Sequence, residues 1–219
     1  MTNEKSFPKG TLVLFLSVIV LLALAALTLR PSSKPIPAEL LATLRPQAVP
    51  VQPFTLVDQN DQLYKTERLR GKWSFVFFGY TSCPHICPTT LATLTQVTKK
   101  LGETPGATEN VQVLLVSVDP DRDKPEVLNR YLKNFNASFD GHRKFTGLTG
   151  LRDDLIRFAK QFGATYIKDE GKEAGQYDFS HTSSIFLVDP QVRIIAAFSP
   201  PHDAQTIASQ YLKIRELFQ

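Results

Sequence analysis

The chain has 219 residues, with 25 Lys and Arg against 21 Asp and Glu, a net charge of +4 and a pI near 9.0. Setting aside Lys5, Lys9, Arg30 and Glu4 leaves the chain from Pro31 onward with a net charge of about +2. With that near-balance and no clustered Lys/Arg stripe, the high pI is no sign of nucleic-acid binding.

Residues 1–10 carry Lys5 and Lys9 and precede an uncharged apolar run over 11–29 (TLVLFLSVIVLLALAALTL). At 1.5 Å per residue such a helix is long enough to cross a hydrocarbon core of ~30 Å. The two lysines put the N-terminus in the cytoplasm, although Arg30 and Lys34 on the far side weaken that argument. The alternative is a cleaved signal peptide, cut near Ala23-Leu24-Ala25, but the run exceeds an ordinary signal h-region. Either way the remainder crosses the membrane into a compartment where cysteine pairs can oxidise.

Residues 30–53 hold six prolines, at 31, 35, 37, 46, 50 and 53. They read as an extended tether at ~3.1 Å per residue, with an arm packed on the domain as the alternative for the last third. The globular domain is expected over 54–219. Residues 54–57 read as a short strand and 58–61 as a polar turn. The run 73–80 (WSFVFFGY) is nearly all apolar, as a central strand buried on both faces should be.

A helix is expected over 89–101, with Leu91, Leu94, Val97, Thr98 and Leu101 on one face. Residues 111–118 form the next buried strand, 125–135 and 150–162 two further helices, and 184–188 with 192–198 a strand hairpin. An amphipathic helix over 204–218 closes the chain. That order predicts an α/β domain with a mixed sheet, parallel in the middle and antiparallel at one edge.

Both cysteines lie between the apolar strand and the first helix, in Thr81-Ser82-Cys83-Pro84-His85-Ile86-Cys87-Pro88. Each precedes a proline, which disfavours α backbone at the residue before it. Pro88 suits a first helical turn, so Cys87 is expected at or near the helix N-cap, where the macrodipole favours a thiolate. One reading is a structural disulfide; the other is a thiolate pair for redox or metal chemistry. A two-cysteine loop after a buried strand, opening a helix, suggests a thioredoxin-like arrangement.

Two thiolates suit Cu(I), zinc or iron–sulfur iron, but need a third donor. Met1 lies on the wrong side of the membrane, leaving His85, His142, His181 and His202. His142 and His202 stand in polar turns and read as solvated. His181 directly precedes a buried strand whose approach loop faces the cysteines in a thioredoxin-like sheet. It reads as a ligand, against the alternative of a hydrogen-bonded core histidine. His85, between the cysteines, reads equally as a fourth ligand, a proton shuttle or a solvated side chain.

Three ordered motifs resemble those of the Sco/SenC copper proteins. The first is Phe78-Gly79-Tyr80-Thr81-Ser82-Cys83-Pro84 with Cys87-Pro88; the second is Val118-Asp119-Pro120-Asp121-Arg122-Asp123 with Pro125; the third is His181-Thr182-Ser183-Ser184 through Asp189-Pro190. Gly147-Leu148-Thr149-Gly150 fits between the second and third. The resemblance runs from about residue 54 to the C-terminus. It implies a membrane-tethered thioredoxin-like domain on the periplasmic or extracytoplasmic side of the inner membrane, not an enzyme in the first instance. The domain would receive copper from a donor protein and deliver it to the cytochrome c oxidase subunit carrying Cu(A).

Carried over, the implied copper ligands are Cys83, Cys87 and His181, with the two cysteines also a redox-active disulfide and Asp119 a docking or structural carboxylate. Many family members have Asp where this chain has His85, an added imidazole that bears on Cu(II) coordination and thiolate pKa.

A thiol–disulfide oxidoreductase is the rival reading, since it uses the same fold and thiol pair. Such enzymes use a tighter CxxC loop and keep a proline before the strand facing it. Here no proline occurs between Pro125 and Pro190, and His181 occupies that approach. A peroxiredoxin reading wants Thr three residues before the reactive cysteine, where this chain has Tyr80.

Overall fold

The structure, a computed structural model, describes residues 9–28, 35–136, 145–171 and 176–218. It divides into two compact units, residues 1–35 and 36–219. In the first, α1 (Lys9–Thr28) is a helix of 20 residues whose side chains described over 14–22 are all exposed. Among the described residues no helix is long and apolar enough to cross a membrane.

The second unit holds ten strands and four further helices among its described residues. The strands are β1 (Leu44–Pro50), β2 (Thr55–Asp58), β3 (Leu63–Lys65), β4 (Trp73–Gly79), β5 (Val111–Ser117), β6 (Phe145–Thr149), β7 (Tyr166–Glu170), β8 (Tyr177–His181), β9 (Ile185–Val188) and β10 (Arg193–Phe198). The helices are α2 (Ile86–Gly102), α3 (Pro125–Asn136), α4 (Arg152–Phe162) and α5 (Ala204–Phe218). Eight strands form one sheet in the order β1-β10-β9-β4-β5-β6-β2-β3, and β7 pairs with β8 alone.

Every residue of β4 is buried, because the strand sits mid-sheet with helices on both faces. Phe75 meets Tyr211 of α5 on one face, while Phe78 meets Phe158 and Phe162 of α4 on the other. β4, β5 and β6 run parallel, and β9 runs antiparallel to β4. The mixed α/β sheet is thus the expected one, with two differences. Antiparallel pairs occur on both sides of the parallel centre, because the β2–β3 hairpin adds to the free edge of β6. The second difference is β1, which falls within the expected tether yet pairs antiparallel with β10. An edge strand tolerates Pro46 and Pro50, and β1 covers an otherwise open edge of the sheet.

The helix after the cysteine loop also begins earlier than expected, at Ile86 rather than 89. Its N-cap is His85, so Cys87 lies near the cap as expected, two residues on and inside the first turn. Pro88 is tolerated in that first turn because its missing N–H would have had no intrahelical acceptor there, and the helix overrides the steric bias it places on Cys87.

Candidate metal centre

The parallel pair β4–β5 ends at Gly79 and Ser117, and the loops beyond them build the site. Cys83 is 7% exposed and Cys87 fully buried. His181, the last residue of β8, is half-buried and completes a group whose ligand atoms all lie within 4.8 Å of one another. Cys87 Sγ stands 3.5 Å from His181 Nε2. Donors held by one metal at ~2.0–2.3 Å in a trigonal site would stand roughly 3.5–4 Å apart, so the group fits a single ion. Two sulfurs and an imidazole are a soft set, suited to Cu(I).

The ring of His181 is oriented from behind. Its Nδ1 is 3.1 Å from the Thr182 carbonyl, which can only accept, so Nδ1 carries the hydrogen and Nε2 turns a lone pair to the sulfurs. The rings of Phe77 and Tyr80 meet it edge-on, each at 5.9 Å between centroids.

The two sulfurs differ. The Cys87 N–H donates to Cys83 Sγ at 3.4 Å. The Cys87 thiol likewise hydrogen-bonds toward Cys83, which holds the Cys83 thiol well below its ordinary pKa, with help from the N–H groups of Cys87 and His85. The same thiol–thiolate hydrogen bond, together with burial, pushes Cys87 up. The hydrogen bond between them thus favours ionisation at Cys83 and retention of the shared proton at Cys87.

Gly79 gives Cys87 its room. A Cβ there would lie 2.8 Å from Cys87 Sγ and 2.9 Å from the Phe77 ring.

Asp123 fixes the start of the cysteine loop. Its carboxylate accepts from the Thr81 hydroxyl at 2.6 Å, the Thr81 N–H at 3.1 Å and the Ser117 hydroxyl at 2.7 Å. Burial raises the pKa of this carboxyl despite those donors. Asp119 is fully buried, accepting from Arg122 Nε and from the Tyr177 hydroxyl at 3.0 Å. The carboxylate has no exposed surface and spends its contacts inside the fold. Arg122 also donates to the Tyr177 carbonyl at 3.1 Å and stacks on the Tyr177 ring. Tyr80 adds a hydroxyl bond to Asp178 at 3.3 Å. The β7–β8 hairpin, and His181 with it, is thereby moored to the other two motifs.

Of the remaining histidines, His85 is exposed at the α2 N-cap and outside the ligand group among the described residues. His142 lies outside the described residues. His202, expected in a solvated turn, is half-buried and donates from Nε2 to the Ser183 carbonyl at 2.8 Å. Asp123 and Arg122 stand inside the second motif, yet no spacing marks them as clamps. Tyr177, four residues ahead of His181, carries no sequence signal at all.

The SCO1/SenC family profile matches residues 42–216. The chain is 40% identical over 154 residues to a protein of Stutzerimonas stutzeri named for copper binding, covering 70% of each. It resembles yeast Sco1 solved with copper bound, with a TM-score of 0.68, 28% identity, and coverage of 77% of this chain and 89% of that one. It also resembles BsSco, described as a cytochrome c oxidase assembly protein with a disulfide switch, with a TM-score of 0.60, 29% identity, and coverage of 77% and 94%.

Proposed function

The chain belongs to the SCO1/SenC family, and from that premise we propose that it is a copper metallochaperone serving assembly of the Cu(A) centre of cytochrome c oxidase. Copper is its cargo, held by Cys83, Cys87 and His181. The observation that carries this reading is the convergence of two sulfurs, from the start of α2 and the loop before it, with one oriented imidazole at the end of β8. Cys83 and Cys87 are also the redox switch. Oxidation to a disulfide removes two of three donors and releases the metal. Its partners are the oxidase subunit carrying Cu(A) and a copper donor protein.

Membrane anchoring through α1, with residues 36–219 on the periplasmic or extracytoplasmic side, belongs to the same proposal. It is supported by the uncharged sequence of residues 10–28 and the exposed apolar side chains described within it, Leu14 through Leu22. Carbonate-washed membranes should retain the full chain. Its appearance in the soluble fraction would refute the anchor.

The test of copper binding is metal analysis of the reduced protein, which should take up about one copper per chain. His181→Ala should lose most of it, and undiminished uptake by that variant removes His181 from the ligand set. A second reading, thiol–disulfide reductase, is favoured by one observation: the pairing of a thiolate at Cys83 with a thiol at Cys87, as disulfide exchange requires. Copper transfer and disulfide reduction measured on the same apo-oxidase fragment separate the two. Fast thiol exchange without metal transfer selects the reductase.

A further inference from the structure

Residues 182–184 carry the chain from β8, in the small sheet, to β9, in the large one. Two imidazoles hold consecutive carbonyls of this short crossing. His181 Nδ1–H donates to Thr182 O at 3.1 Å, and His202 Nε2–H donates to Ser183 O at 2.8 Å. On the other side, Thr182 N–H donates to Thr165 O at 2.9 Å, and Thr165 N–H donates to the Thr182 hydroxyl at 3.0 Å.

His202 itself is rigidly placed, just ahead of α5. The next residue, Asp203, accepts from the N–H and hydroxyl of Thr206, both at 2.7 Å. The His202 Nδ1 is buried and, among the described residues, has no hydrogen-bond partner.

We propose that His202 is a positioning residue for the copper site, acting through the Ser183 carbonyl to set the peptide that orients His181. The route is short. Fixing Ser183 O fixes the plane of the following peptide and limits rotation of the one before it, whose oxygen is Thr182 O. Thr182 O takes the Nδ1 hydrogen of His181 and so keeps the Nε2 lone pair on the sulfurs. His202 is thus one step further out than the ordinary partner of a metal-binding imidazole. This inference rests on the assignment of His181 as a ligand.

The test uses the full chain, reduced, in mild detergent, as parent, His202→Leu and His202→Gln. The glutamine amide restores a donor at the reach of Nε2; leucine does not. Without metal, the nitrogen chemical shifts of the His181 ring report its tautomer. The parent and His202→Gln should hold the Nδ1–H form, and His202→Leu should move toward a mixture of both. With copper, His202→Leu should bind Cu(I) about tenfold more weakly in competition with a chromophoric chelator. Its Cu(II) form should show an altered thiolate charge-transfer band, and His202→Gln should recover both.

A His181 tautomer and a copper affinity in His202→Leu that match the parent overturn the proposal. So does a glutamine variant as impaired as the leucine one. If the parent takes up no copper, the chaperone reading fails, while the metal-free tautomer still decides the role of His202.

Discussion

Cys83 and Cys87 are neighbours with opposite proton affinities, and copper must reconcile them. In the proposed site both sulfurs would bind as thiolates. The hydrogen bond between them favours a thiolate at Cys83 and keeps the proton on Cys87. Copper binding should therefore release about one proton per metal, and affinity should rise roughly tenfold per pH unit until Cys87 ionises. Calorimetry in buffers of different ionisation enthalpy measures that proton; a release near two or zero would contradict the asymmetry. Alkylation of the reduced apo protein should modify Cys83 first, on accessibility and thiolate content alike. Gly79 tests the packing around the same pair. Gly79→Ala drives a methyl group into Cys87 Sγ and Phe77, so it should cost about 1–3 kcal/mol of stability and weaken copper binding, as read by thermal melts and chelator competition.

Among the elements, the β7–β8 hairpin matters most, because it brings the imidazole and belongs to neither edge of the main sheet. Its mooring depends on Arg122, Asp119 and Tyr177. Arg122→Ala leaves Asp119 buried without its cation, at a cost of about 2–4 kcal/mol, tempered because the Arg122 side chain is 32% exposed. The variant should also bind copper more weakly, whereas Arg157→Ala, whose pair with Asp154 is on the surface, should leave both properties unchanged. These elements were unequally legible in the sequence. β4, β5, α3 and α5 announce themselves through unbroken apolar runs or helical spacing. β7 (YIKDE) is almost wholly exposed and owes its strand form to its partner, so no pattern marks it. β1 hides behind Pro46 and Pro50, and β6 behind Gly147, whose missing side chain makes room for Leu128 and Leu132 of α3. For the site, the donor chemistry of the cysteine pair, the place of His181 ahead of a buried strand and the motif resemblance all pointed to Cys83, Cys87 and His181. The clamps at Asp123, Tyr177 and His202 depend on contacts across the fold that spacing does not encode.

The whole molecule brings together donors far apart along the chain. Cys87 and His181 are separated by 94 positions, and the strand that follows His181 pairs with β4 at the middle of the sheet. Half of the contact is thus made only when distant pieces of the chain have met, an arrangement that makes folding slow rather than fast. A chain whose last third has not yet folded has the two sulfurs but not the imidazole beside them. Metal loading then follows folding and cannot guide it. Copper should slow unfolding of the reduced protein in denaturant while leaving its refolding rate unchanged, since the three-donor site forms late on the folding path. A copper-accelerated refolding limb would mean that His181 reaches the cysteines before the sheet closes. If it does not, the metal acts as an inspector of finished molecules, held firmly only by chains that have completed their fold.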